Sequence, residues 1–157
     1  MAQGVTLHPI GRVVSNRAAP VDDDWDSIAA RIELDPARFT PEALMGLDRF
    51  SHAEIVFLFD RVTPAQIETG ARHPRGNPDW PRVGIFAQRG KNRPNRIGVT
   101  ACRVLGVDGL ALHLAGLDAI DGTPVLDIKP VMSGFAPRGP LREPDWAKVL
   151  MQGYWRA

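Results

Sequence analysis

Cysteine is almost missing from this sequence: Cys102 stands alone among 157 residues. No intrachain disulfide can form, so the fold must rest on its core and its backbone hydrogen bonds. Cys102 lies in ACRVL, which reads as a packed strand rather than a redox site, and a reducing cytoplasm fits that usage. Long apolar runs are missing too. Nothing approaches the roughly 20 residues that span a bilayer, and MAQGVTLHPIGRVVS lacks a basic region followed by an unbroken apolar stretch. A soluble, cytoplasmic, unexported protein is therefore expected. The phosphate and dinucleotide signatures GxxxxGK[ST] and GxGxxG do not occur, so any nucleotide is bound by another design. His8, His52, His73 and His113 stand far apart, with no HExxH or Cys/His spacing, and no metal is expected.

What is present points to one β-rich domain covering residues 1–157. Its 44% hydrophobic content supplies a substantial core, and 15 glycines and 14 prolines are scattered as turn formers rather than gathered in a tract. The net charge is only +1, but it conceals a strong asymmetry. Arg72, Arg75, Arg82, Arg89, Lys91, Arg93 and Arg96 face Asp79 alone, whereas Asp22, Asp23, Asp24, Asp26, Glu33 and Asp35 gather near the start. Such clustering either gives one face a field that attracts phosphate or marks a solvated arginine-rich loop.

Period-two patterns predict strands over residues 5–14 and over SIAARIEL, where Ile28, Ala30, Ile32 and Leu34 share a face. Thr40 and Pro41 before EALMGL predict an N-capped short helix ending near Gly46. SHAEIVFLFDRV reads as a strand, residues 63–81 as a long loop, and VGIFAQ and RIGVTACRVLGV as strands again. Asp108-Gly109 before LALHLAGL predicts a tight hairpin, and PVLDIKPV a further strand. In the tail, about 140–157, EPDWAKVLMQGYW predicts a short amphipathic helix offering Trp146, Val149, Leu150 and Trp155 for packing. The expected fold is mainly β within the α+β class: a small closed or nearly closed β-barrel with short helices and a long basic loop.

Chemistry at the residue level is ambiguous. Ser51, His52 and Asp118 supply the types of a hydrolase triad, but no GxSxG elbow presents the serine. In LAGLDAIDGTP, Asp118 and Asp121 sit in a glycine-containing turn at a strand end. There they either hold the turn or accept hydrogen bonds from a ligand.

GIFAQRGKNRPNRIGV followed by GLDAIDGTPVLDIKP is similar to the paired motifs of the TrmO family, also called YaeB-like or TsaA-like proteins, whose usual forms approach GVFATRSPxRPNPIG and LDxxDGTPVxDIKP. FSHAEIVFLF, HPRGNPDWP and HPIGRVVS resemble further family segments, so the likeness covers nearly the whole chain. The resemblance implies a homodimeric S-adenosyl-L-methionine-dependent methyltransferase on a small barrel. Its implied acceptor is N6-threonylcarbamoyl adenosine beside the anticodon of tRNA. Alternatives are a small-molecule or other acceptor at the same pocket, or a non-catalytic RNA-binding barrel. By position, the family's cofactor contacts fall on His52, Ala53, Arg89, Val99, Ala115, Gly116, Leu117 and Asp118, with Asp22 to Asp24 nearby. Physically, Arg89 suits the cofactor's carboxylate, Asp118 a hydroxyl or amine, and Gly116 a close approach. Arg93, Asn95 and Arg96 are then expected to face the tRNA anticodon loop. Asp121 is the candidate proton acceptor, and Lys129 either meets substrate or pairs with Asp127 or Asp121. The sequence departs from the family pattern at Arg96, usually proline, and at Gln88 and Gly90, usually threonine and serine. Characterised bacterial members also carry an additional C-terminal domain, where this chain has only its tryptophan-containing segment after DIKP.

Overall fold

The computed structural model describes residues 3–156. Strands β1 (Gly11–Ser15), β2 (Ala29–Leu34) and β3 (His52–Leu58) come first, then the two-residue pair β4 (Ala71–Arg72) and β5 (Val83–Gly84). Three longer strands follow, β6 (Ile97–Asp108), β7 (Ala111–Ala115) and β8 (Pro124–Pro130), and the helix α1 (Asp145–Met151) comes last. Six of the strands close into a barrel in the order β1-β2-β7-β6-β3-β8, all neighbours antiparallel. Closure pairs every ladder, so the barrel has no open edge.

Alternation dictates what fills it. Val13, Ala30, Ile32, Leu34, Ala53, Ile55, Phe57, Cys102, Leu112, Leu114 and Val125 are buried together, while their odd-numbered or even-numbered neighbours face out, as the two-residue period of a strand requires. A barrel of this width is packed by its own side chains. Gly98 makes room for the largest of them: a Cβ there would lie 2.5 Å from the Phe57 ring. Two bulges bend the wall, one between Val56 and Phe57 opposite β8 and one between Val104 and Gly106 opposite β7. The second leaves Leu105 pointing outward, 59% exposed.

The barrel strands and the 108–111 hairpin follow the sequence pattern, with Gly109 at φ 58° in the tight connection. Four local expectations are corrected. Of the first segment, residues 5–14, only 11–14 are strand, and β1 runs on to Ser15. The helix after Thr40 is a single 3₁₀ turn, Pro41–Leu44, without a side-chain cap; Gly46 at φ 87° then starts a second 3₁₀ turn, Leu47–Arg49. VGIFAQ contributes only β5 before turning 3₁₀ at Ile85–Ala87. Its partner β4 lies within residues 63–81, which are thus partly organised: 3₁₀ turns at Pro64–Gln66 and Pro74–Gly76 also punctuate them. Proline at the first position of three of these turns explains the choice, since it fixes φ and needs no amide donor there.

After β8, residues 131–144 are exposed throughout. Helix α1 then returns to the body, with Trp146 6.5 Å from Trp80 between ring centroids. No helix among the described residues is long and apolar enough to cross a membrane.

Candidate functional site

The antiparallel register brings three distant segments together on the outer face of β3, β6 and β7. His52 pairs with Arg103, and Arg103 pairs with Ala115. Outward-facing Ala101 precedes Arg103 on β6, and Gly116 directly follows β7. These residues, with Asp26 and Trp155, line an open groove of about 270 Å³. Its floor is made of small residues, so backbone is accessible. Gly116 holds φ 78°, and a Cβ there would stand 3.0 Å from Asp26 Oδ1. Only glycine combines that conformation with that closeness.

Behind the floor lies a polar network. The Thr100 hydroxyl and the Tyr154 phenol both donate to the Asp118 carboxylate, one to each oxygen. Burial, then the Asp118 charge and its hydrogen bond, push the Tyr154 phenol well above its usual range, so it stays a donor. The Cys102 thiol, buried beside Thr100 and Gly116 carbonyls, is pushed up to about 12, chiefly by burial and then by Asp118. It is inert packing, as expected.

The expected cofactor residues fall in three groups. His52, Ala115 and Gly116 line the groove. Ala53 and Leu117 are buried behind it, and Asp118 is engaged by Thr100 and Tyr154. Arg89, in the loop after the Ile85–Ala87 turn, reaches Val99 of β6, its Nη2 donating to Val99 O at 2.7 Å. Ser51 Oγ contacts His52 Nδ1 at 2.7 Å, but Asp118 spends both oxygens elsewhere, so no Ser-His-Asp relay forms.

In the basic loop the arginines reach carbonyls of their own chain. Arg93 Nη1 donates to Gln88 O at 2.9 Å, and Arg96 Nη1 to Val62 O at 2.9 Å. These guanidiniums brace the loop from partly buried positions, while Asn95 and Lys91 are the exposed groups of the turn. Arg96 has φ 55°, a conformation closed to proline, whose ring fixes φ near −65°. The departure from the family pattern therefore changes the turn itself. The other two departures have a shared cause. The Gln88 amide bridges the carbonyls of Arg72 and Val83 at 3.2 and 2.9 Å, and a Cβ at position 90 would press within 2.7 Å of Arg72 Nη2. Gln88 and Gly90 both accommodate Arg72.

Asp121 Oδ1 accepts the Ser15 amide at 3.0 Å, tying the turn to the end of β1. Lys129 pairs with Asp127 at 2.5 Å, and that contact raises the lysine's pKa. Among the acidic residues near the start, it is Asp26 that lines the groove. Asp23 and Asp24 anchor their own segment through Arg75, at 3.0 Å, and through the Asp23 and Asp24 carbonyls that accept from Arg17 at 2.8 and 3.0 Å.

Sequence reasoning missed Asp26, Ala101 and Arg103 as groove residues, and placed Trp155 only as a packing residue. Period-two counting along RIGVTACRVLGV was the available signal, because it sets Val99, Ala101 and Arg103 on the face opposite Cys102. Among the described residues no cluster of His, Cys, Asp and Glu is arranged to hold a metal.

Fold and groove define a class: a closed antiparallel barrel with an exterior groove floored by small residues. The profile of the tRNA-methyltransferase O N-terminal domain family matches residues 14–136. This chain belongs to that family. It is 42% identical over 93 residues to a mouse tRNA (adenine(37)-N6)-methyltransferase, covering 59% of this chain and 21% of the relative. It is 32% identical over 143 residues to a Pyrococcus abyssi protein named "Probable S-adenosyl-L-methionine-binding protein", covering 88% and 74%. A crystal structure of TrmO from P. aeruginosa superposes with TM-score 0.74 at 28% identity, covering 93% of this chain and 63% of that one. The chain thus spans about a fifth of the mouse relative and under two thirds of the solved structure.

Proposed function

We propose that the chain is an S-adenosyl-L-methionine-dependent methyltransferase acting on N6 of the adenosine beside the anticodon of tRNA. The observation that carries this is the groove, which gathers His52, Ala115 and Gly116 from the family's motif positions, all within the matched span.

The residues present fit the cofactor. Methionine's carboxylate suits the Arg103 guanidinium, which makes no ion pair among the described residues, and Arg89 offers a second cation on the same face. Asp26 is an acceptor for hydroxyl or amino groups, and Gly116 lets backbone approach closely without a side chain between. When bound, S-adenosylmethionine supplies an electrophilic methyl group. The chain's own contribution is orientation: a floor of Ala101, Ala115 and Gly116, rigid on paired strands, fixes where a ligand lies, and positioning of that kind supplies much of a transfer reaction's acceleration. Asp118 is held by Thr100 and Tyr154, which keeps the 115–118 turn in one conformation. We assign proton acceptance to Asp121, whose Oδ2 is left over after Oδ1 takes the Ser15 amide. Asp121→Asn keeps an oxygen for that amide, so it should lower the transfer rate at least tenfold while leaving the melting temperature in place.

The tRNA-facing surface is assigned to Lys91, Asn95 and the outer edge of Arg89, with Arg93 and Arg96 shaping the loop and Lys129 at the periphery. The chain is further proposed to work in the cytoplasm as a homodimer. Outward Leu105, Val131, Met132 and Phe135 support pairing, since a lone barrel gains nothing from exposing them. Light scattering at micromolar concentration should give twice the chain mass, and a monomer contradicts that part.

The decisive experiment is transfer of labelled methyl from S-adenosylmethionine into fractionated tRNA, with nucleoside digestion to locate the label. Label on N6 of the adenosine next to the anticodon is expected. Cofactor binding without label in any RNA fraction would contradict the tRNA assignment.

A further inference from the structure

The groove has one wall that the family span does not provide. Trp155 lines it together with Ala101, Ala115 and Gly116, yet the family match ends at residue 136. The segment carrying Trp155 is not loosely laid there. Asp24, Trp25 and Asp26 donate their amides to the carbonyls of Gly153, Tyr154 and Trp155 at 3.2, 3.0 and 3.2 Å. The two segments therefore run as a short hydrogen-bonded ribbon, and Asp26, itself a groove residue, is joined directly to Trp155. Tyr154 is fixed by donating to Asp118, and its ring meets Trp155 edge to face with centroids 4.8 Å apart. Behind the ribbon, Arg17 lies 4.4 Å over the Trp25 ring, and Arg75 pairs with Asp23.

We infer that Trp155 is a ligand-binding residue, the aromatic wall against which a purine base stacks, supplied by a segment outside the family domain. The inference rests on the cofactor reading above and sharpens it by naming the subsite. Its physical basis is the pairing of one rigid aromatic surface with a methyl-sized floor, a slot that suits a flat ring. Asp26 beside it is an acceptor for an exocyclic amino group. Because the ribbon holds the Trp155 backbone and the Tyr154 ring braces the indole before any ligand arrives, little loop ordering opposes binding. The same hydrogen bonds make the wall a fixed part of the site rather than a flap.

The test uses S-adenosylhomocysteine, adenosine and methionine as separate probes, with wild-type protein, Trp155→Phe and Trp155→Ala, binding measured by calorimetry and indole emission. Wild type should bind S-adenosylhomocysteine with a change in emission that disappears in Trp155→Phe. Trp155→Ala should weaken S-adenosylhomocysteine and adenosine by about tenfold or more, the scale of base stacking on an aromatic ring. Trp155→Phe should lose much less, and methionine should be indifferent to both. Circular dichroism melts of both variants establish that they fold. If wild type binds S-adenosylhomocysteine and folded Trp155→Ala binds it equally well, the stacking wall is overturned and the cofactor reading survives. If wild type binds neither S-adenosylhomocysteine nor adenosine, both fall together.

Discussion

The basic loop and the outer groove make opposite uses of charge. In the loop, arginines are dense in sequence, yet Arg89, Arg93 and Arg96 each donate to a backbone carbonyl of the same chain: Val99, Gln88 and Val62. In the groove, charge is sparse: Asp26, His52 and Arg103 stand around small residues. Arg103, unlike Arg93, spends nothing on loop carbonyls. A count of cations therefore measures how much positive charge a segment contains, and says little about how much it presents. The loop's arginines hold backbone in place, as guanidiniums with five donors do well, and the proposed ligand-facing chemistry lies on the strand beside them.

The comparison can be broken at several points, beginning with the largest effect. Gly116→Val should abolish S-adenosylmethionine binding in a titration, because it fills the groove floor at a φ of 78° and crowds Asp26. Its strain should also lower stability by about 1–3 kcal/mol. Retained affinity would remove the groove from consideration. Arg103→Ala should weaken cofactor binding by about tenfold or more, the value of a charge-assisted hydrogen bond, without moving the melting temperature. Arg93→Ala and Arg96→Ala should behave the other way round. Each should lower stability by about 1 kcal/mol through its lost carbonyl bond and leave cofactor affinity within about twofold, as urea melts and titrations would report. If instead they melt like wild type and only RNA binding suffers, the bracing role assigned to them is wrong.

The smallest effect concerns the buried thiol. Cys102 has its pKa raised from an ordinary value near 9.0 to about 12. A group with a raised native pKa contributes stability that is intact below its unfolded value and is lost as pH climbs toward the native one. Stability should thus fall between about pH 9 and 12 in part through Cys102, and Cys102→Ser should reduce that slope. Alkylation at pH 8, followed by mass spectrometry, should reach Cys102 only through unfolding.

Much of the barrel was legible because its signals are local. Alternation in RIGVTACRVLGV and SHAEIVFLF names the buried faces directly, and Asp108-Gly109 names its turn. The groove was legible only in part, through motif positions at His52, Ala115 and Gly116. Period-two counting puts Arg103 on the outer face, but its neighbours are set by register across three strands; Asp26 is brought in by the ribbon between residues 24–26 and 153–155, which leaves no periodic trace. For Arg93 and Arg96, expected to face the anticodon loop, the structure adds what a sequence cannot show: which carbonyls lie within reach of each guanidinium. Arg96 also needed the structure to show that its turn lies in the left-handed region. The early break of VGIFAQ has a similar origin. Its apolar residues are those of a strand, but β4 offers only two residues to pair with, and the chain turns once that ladder ends.

One measurement reaches the central claim directly. Backbone amide spectra of the labelled protein, recorded while S-adenosylhomocysteine is added, report which residues meet the ligand. The account predicts that the largest shifts fall on Ala101, Arg103, Ala115, Gly116 and Asp26, together with the Trp155 indole. A second exterior hollow of about 200 Å³, lined by Ser15, Ala29, Arg31, Leu105 and His113, lies across β7 from the groove. Shifts confined to that hollow, or to the 89–96 loop, would contradict the account.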